Sequence, residues 1–159
     1  MEKIRGFEII SAYENKNIHL PQRATKDSAG YDIEAAEDVV IPSLFKALEK
    51  GESQPPVLVP TGLKVYMPQE EYLILVSRSS NSMKRFLSMP NAMGIIDADY
   101  YNSPANEGHL YFQFINFGLE DVVIKKGERI GQGIFQKYER TDNDQAQGKR
   151  TGGFGSSGK

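Results

Sequence analysis

Two neighbouring runs decide the fold class, PVLVPTGLKVYMP at residues 56–68 and EYLILVSR at residues 71–78. Both are of strand length, rich in β-branched and aromatic residues, and bounded by proline, glycine or charge. The same texture recurs on either side as FEIISAY (7–13), GYDIEAA (30–36), VVIP (39–42), GIIDADYY (94–101), HLYFQFINF (109–117), DVVI (121–124) and ERIGQGIFQKY (128–138). Short strands at such spacing, separated by turn residues, point to an all-β sandwich or barrel. Helix is scarce. SLFKALEK (43–50) is expected to be helical, with Ser43 as cap, Leu44, Ala47 and Leu48 on one face, and Gly51 as stop. NSMKRFL (81–87) places Met83, Phe86 and Leu87 at helical spacing behind a capping Asn81. KKGE (125–128) reads as a hairpin turn, because Gly127 can take the positive φ such turns require.

A chain of 159 residues fits one domain with a real core, and 39% hydrophobic with 25% charged residues is ordinary for a soluble protein. A net charge of −2 excludes the basic footprint of a general DNA or RNA binder, though a single nucleotide could still be held locally. With no cysteine and two isolated histidines there is neither a disulfide framework nor a zinc centre. The absence of cysteine suits a reducing cytoplasm. No secretory leader is visible at the start of the chain, and nowhere do about 18 apolar residues run together to span a membrane. We therefore expect a soluble, cytoplasmic protein. The polar stretch TDNDQAQGK (141–149) reads as a connector from the last strand to a glycine-rich end, dividing a β domain (1–139) from a flexible C-terminal arm (140–159).

Four segments carry residues suited to chemistry. In GIIDADYYN (94–102) a strand through Asp99 would set Asp97 and Asp99 on one face, where they could hold a metal, act on a water, or simply face solvent before a turn. SRSSNSMK (77–84) puts an arginine and serines at a helix start, which suits an anion as well as it suits plain capping. DSAGYDIEA (27–35) combines Ala29-Gly30, where backbone can approach closely, with Asp32. RTGGFGSSG (150–158) is neither a P-loop nor a dinucleotide fingerprint, yet its amides could surround phosphate oxygens and Phe154 could stack on a base.

Taken in order, SAGYDIEA, SRSSN, NAMGIIDADYY, GERIGQ and RTGGFGSSG resemble the five motifs of the homotrimeric dUTP pyrophosphatase (dUTPase) family. The likeness runs from about residue 24 to the end, and DYYN followed by PANEGH is similar to the branch found in Gram-positive bacteria and their phages. It implies a distorted jelly-roll β-barrel or sandwich with one or two short helices, and a C-terminal arm exchanged within a homotrimer. The implied reaction is hydrolysis of dUTP to dUMP and pyrophosphate with Mg2+ on the phosphates. The motifs match Asp97 to the water-activating catalytic aspartate and Asp32 to the acid holding magnesium through water. Arg78, Ser79 and Ser80 fall in the phosphate-contacting second motif, and Gln132 matches a residue near the phosphates. Asn91, Gly94 and Ile96 fall in the hairpin that reads uracil, and Tyr100 matches the ring beneath the deoxyribose. In the last motif Phe154 corresponds to the ring over the base, Arg150 reaches the phosphates, and Gly155, Ser156 and Ser157 wrap them.

Some positions depart from the family pattern. Ser77 stands where many members have proline, Ser80 and Asn102 where they have glycine, and Lys149 where they place the arm's arginine. Arg150 is assigned over Lys149 because a planar guanidinium grips phosphate by two bonds. Asp99 receives no role beyond turn geometry, and residues 44–56 look like an insertion of unread purpose. Two alternatives stand beside dUTP hydrolysis. One is a dCTP deaminase-like enzyme of the same fold. The other is a dUTPase with an added regulatory protein partner, bound through the insertion or the NSPANEGH loop (102–109).

Overall fold

The computed structural model describes residues 1–156. Among them twelve strands dominate and only two short α-helices occur. The strands are β1 (Gly6–Ile9), β2 (Gln22–Arg23), β3 (Tyr31–Glu34), β4 (Val39–Ile41), β5 (Val57–Pro60), β6 (Leu63–Tyr66), β7 (Glu71–Ser77), β8 (Leu87–Ser88), β9 (Gly94–Asp97), β10 (Tyr111–Asn116), β11 (Val122–Ile124) and β12 (Arg129–Lys137). The helices are α1 (Leu44–Glu49) and α2 (Ser79–Arg85). All pairings between strands are antiparallel, in sheets ordered β2-β3-β12-β7-β9, β5-β10-β8, β1-β6 and β11-β4.

Period-two alternation explains how these short strands make one core. In β10, Phe112 and Phe114 turn inward while Tyr111 and Gln113 turn outward, and in β7 Leu73 and Leu75 do the same against Tyr72 and Ile74. Phe112, Phe114, Ile33, Leu73, Leu75, Leu63, Ile41, Ile124 and Ile130 then meet in one contiguous cluster to which every sheet contributes. This is the distorted jelly roll expected from the sequence. Full burial of each such side chain is worth about 1.5–3 kcal/mol. At the rim, Arg5 grips the buried carboxylate of Glu71 with two bonds, Nε to Oε2 at 2.9 Å and Nη2 to Oε1 at 2.7 Å, tying the N-terminus to β7.

The helices follow the sequence in one case and depart from it in the other. Ser43 caps α1, its hydroxyl accepting from the Lys46 amide at 3.3 Å, and Gly51 ends it with φ of +70°. Leu48, expected on the buried face, is instead exposed, because a helix of six residues lies on the surface through Ala47 alone. In the second segment the helix begins three residues earlier, with Arg78 at the cap and Asn81 buried inside it. Asn81 Nδ2 donates to the Ile130 carbonyl at 2.8 Å and to Ser77 Oγ at 3.1 Å, so it pins α2 to the ends of β7 and β12 instead of capping it. Met83 and Phe86 are exposed, and Phe86 ends the helix with φ of +55°, which leaves only Leu87 in the core. Gly127 turns β11 into β12 with φ of +85°, as KKGE predicts.

Candidate active site

The site residues of the sequence fall into two groups at opposite ends of β7. Asp97 pairs with Tyr72 near the start of that strand, and Arg78 follows its last residue, six positions further on. At about 3.3 Å per residue the two lie about 20 Å apart along the strand. One chain therefore does not bring them together.

The Asp97 end is a cleft of about 510 Å3, lined by Asn91, Gly94, Ile95, Ile96, Asp97, Tyr100, Gln113, Arg150, Gly153, Phe154 and Gly155. Its size suits a nucleoside. β9 alternates strictly, so Ile95 and Asp97 are exposed while Gly94 and Ile96 turn toward the core. Gly94 has a reason to be glycine, since a Cβ there would stand 3.2 Å from Leu75 Cβ across the pair. The strand ends at Asp97, and Ala98–Tyr100 turns as a 3-10 helix, so Asp97 and Asp99 do not share a strand face as the sequence suggested. They converge through another residue. Arg150 Nε donates to Asp99 Oδ1 at 2.6 Å, and Arg150 Nη2 pairs with Asp97 Oδ2. The Asp99 bond is the main cause that holds the Arg150 guanidinium still more firmly protonated than usual. Asp99 thus has a partner that sequence reasoning did not assign it.

Tyr100 is buried and its hydroxyl titrates above the usual phenol range, chiefly because of that burial. Phe154 meets Tyr100 edge-on at 5.8 Å between centroids and Tyr111 at 5.5 Å. Such tilted aromatic pairs are favourable beyond their buried area. Ser156 lies just outside the cleft, its hydroxyl donating to the Gly153 carbonyl at 2.6 Å and accepting from the Gly153 amide at 3.0 Å, which folds the glycine segment into a turn. Ser157 lies outside the described residues. Tyr111 and Gln113 were missed from the sequence, although the alternation of HLYFQFINF, with two phenylalanines inward, marks them as facing out of the core.

The other end of β7 is cationic. Gln132 stands between Asp32 on β3 and Val76 on β7, and a Cβ on Gly30 would lie 1.8 Å from Gln132 Oε1. The close approach that Gly30 permits is thus made by the Gln132 side chain. Beyond this row a hollow is lined by Arg78, Ser80, Lys84, Arg85 and Arg129, with Glu34 and Glu128 among them. Arg129 Nη1 lies 3.3 Å from Asp32 Oδ2, and Arg85 is held by Glu128 at 2.8 and 3.2 Å. Ser79 opens α2 beside this hollow. Lys84, Arg85 and Arg129 were not singled out from the sequence. Lys84 and Arg85 belong to the last turn of a helix that starts three residues before the expected cap at Asn81.

Three of the four departures have a local structural context. Asn102 has φ of +56°, a left-handed conformation that asparagine tolerates better than most residues and glycine adopts freely. Ser77 Oγ accepts from Asn81 and so takes part in anchoring α2. At the arm, Arg150 is half-buried against the two aspartates, whereas Lys149 is exposed.

With two half-sites of this chemistry in hand, comparison with known proteins settles the family. The dUTPase family model matches residues 16–158. The chain belongs to the dUTPase family. The deoxyuridine 5'-triphosphate nucleotidohydrolase of Lactococcus lactis is 51% identical over 158 residues, covering 98% of this chain and 99% of the relative. That of Rickettsia felis is 36% identical over 154 residues, covering 94% and 95%. The crystal structure of dUTPase from Streptococcus mutans superposes with a TM-score of 0.77 at 43% identity, over 87% of this chain and 99% of that one. No described helix is long and apolar enough to cross a membrane.

Proposed function

We propose that this protein is a cytoplasmic homotrimeric dUTPase that hydrolyses dUTP to dUMP and pyrophosphate. The observation that carries the proposal is the separation of Asp97 and Tyr100 from Arg78, Ser79 and Gln132 at opposite ends of β7. A nucleoside cleft whose one cation, Arg150, comes from the arm, and a cationic cradle without a cleft, complete each other only across chains. A threefold assembly supplies that contact repeatedly with closed symmetry. The division into a body (1–139) and an arm (140–159) follows from the same need. From Lys137 to Arg150 the chain has thirteen steps, enough to span about 45 Å when extended. Residues 139–149 are exposed throughout, so little holds them to the parent body. In the single chain the arm covers its own cleft, and in the trimer it closes over a neighbour's.

In the assembled site the uracil lies against Asn91 and the backbone of β9, with Phe154 over it and the Tyr100 ring beneath the sugar. Asp97 Oδ2 orients a water and takes up its proton as the water oxygen bonds to the α-phosphorus. The bond from that phosphorus to the bridging oxygen breaks, and pyrophosphate leaves toward Arg78, Ser79 and Gln132. Carboxylate basicity is modest, so alignment and charge neutralisation supply much of the rate. Arg150 exchanges Asp97 for phosphate when substrate binds, which frees the carboxylate at the moment it is needed. No group of three acidic or histidine side chains able to cage a metal occurs among the described residues. Asp32 would hold, through water, a magnesium ion that keeps its hydration shell, as a single carboxylate suits. Bound there, magnesium would neutralise charge on the phosphate oxygens.

A substrate panel tests the proposal. Purified protein with magnesium should release pyrophosphate from dUTP and scarcely from dCTP, dTTP or UTP. Ammonia release from dCTP would favour a deaminase and defeat it.

A further inference from the structure

The floor of the nucleoside cleft is held from behind by a loop that none of the five motifs contains. The Tyr100 hydroxyl donates to the His109 carbonyl at 2.7 Å and accepts from Asn106 Nδ2 at 2.8 Å. Asn106 is itself fixed, since its Oδ1 accepts from the Gly108 amide at 3.0 Å. The segment 102–109 folds tightly on itself. Asn102 donates to the Glu107 carbonyl at 3.1 Å, Glu107 to the Ser103 carbonyl at 2.8 Å, and His109 to the Asn106 carbonyl at 3.1 Å. It is also bolted to the body, because the Glu107 carboxylate accepts from the Ser11 amide at 3.2 Å and from Lys64 Nζ at 3.3 Å, while Lys64 Nζ reaches Asn102 Oδ1 at 2.7 Å. Gly108, with φ of +79°, lies so close to Tyr100 that a Cβ would stand 2.3 Å from the Tyr100 carbonyl oxygen.

Burial of a phenol requires one partner, and the His109 carbonyl supplies it. The second bond, from Asn106, therefore does something other than satisfy a buried group. It fixes the far end of a ring whose near end is fixed by the backbone, so the ring cannot sway about its own bonds. We infer that Asn106 is a positioning residue that sets dUTP-over-UTP selectivity by locking Tyr100 against the sugar. This rests on the proposed dUTPase activity, with the Tyr100 ring under the sugar. A locked ring leaves no room for a 2′-hydroxyl, whereas a ring free to shift by a fraction of an ångström admits it. The loop is thereby part of substrate discrimination although it touches no substrate.

The test compares kcat/KM for dUTP and UTP in the wild type, Asn106→Ala, Tyr100→Phe and the double variant. Each single variant should lower the dUTP/UTP ratio by about fivefold or more, the scale of one neutral hydrogen bond. The double variant should be no worse than the poorer single one, since both remove the same contact. Tyr100→Phe keeps the Asn106–Gly108 bond, and so separates loss of the ring contact from loss of the loop. A ratio within about twofold of wild type in both single variants, or multiplicative effects in the double variant, overturns the inference. Wild-type protein that does not cleave dUTP at all would instead defeat the functional proposal.

Discussion

Arg150, from the C-terminal arm, and Asp97, at the end of β9, form an ion pair inside the cleft, with Asp99 holding the same guanidinium at 2.6 Å. The pair places the arm's cation on the carboxylate proposed to activate water. Asp97→Asn keeps the shape of the cleft while removing the base. We expect dUTP binding by calorimetry to persist and turnover to fall by roughly 10^2 to 10^4, the usual contribution of a positioned base. Near-normal turnover would remove Asp97 from the mechanism.

Deleting residues 150–159 takes away Arg150 and Phe154 but, among the described residues, no strand and no member of the buried core. Circular dichroism and light scattering should therefore report an intact, assembled protein, while pyrophosphate release drops severely. Unchanged turnover would reduce the arm to a tether without function.

The separation of Asp97 from Arg78 along β7 has a distinctive consequence in mixtures. Asp97→Asn and Arg78→Ala chains should each be nearly inactive. Unfolded together and refolded at equal amounts, they should recover about a quarter of wild-type activity, because random assembly in a closed ring pairs the two intact halves at that frequency. A site built within one chain would recover nothing.

His109 is buried, its Nε2 accepting from the Gly62 amide at 2.9 Å and its ring against Tyr111 at 4.1 Å. Burial pushes its pKa down from 6.5 to about 4. The unfolded chain thus binds a proton below pH 6.5 that the folded chain refuses until about pH 4. Stability is full above that window, falls as pH drops through it, and levels below, a loss of up to about 3 kcal/mol. His109→Gln, whose side-chain oxygen can accept the same amide, should flatten the pH dependence of the urea midpoint across the window. An unchanged slope would assign the effect to other groups.

Much of the fold was legible because strand alternation is a local property. The inward phenylalanines of HLYFQFINF, the alternating leucines of EYLILVSR, the Ser43 cap and the Gly127 turn need only their own neighbours to be read. The helix at 79–85 was misplaced for the opposite reason. Asn81 looked like a cap by its type, but a carbonyl 49 residues away, on Ile130, claims its amide. Phe86 looked like core by its spacing, yet its left-handed backbone turns it outward.

The order and residue types of the five motifs by themselves determined the family and the chemistry, because carboxylate, guanidinium and glycine carry their reactivity wherever the chain puts them. Tertiary structure alone decided how those groups are grouped. Strand pairing set Asp97 opposite Tyr72 and sent Arg78 to the far end of β7, and no spacing in the sequence encodes that separation. It also brought Asp99 to Arg150 of the arm, and Asn106 to the Tyr100 hydroxyl through a loop whose approach is fixed by its own folding and its bonds to the body.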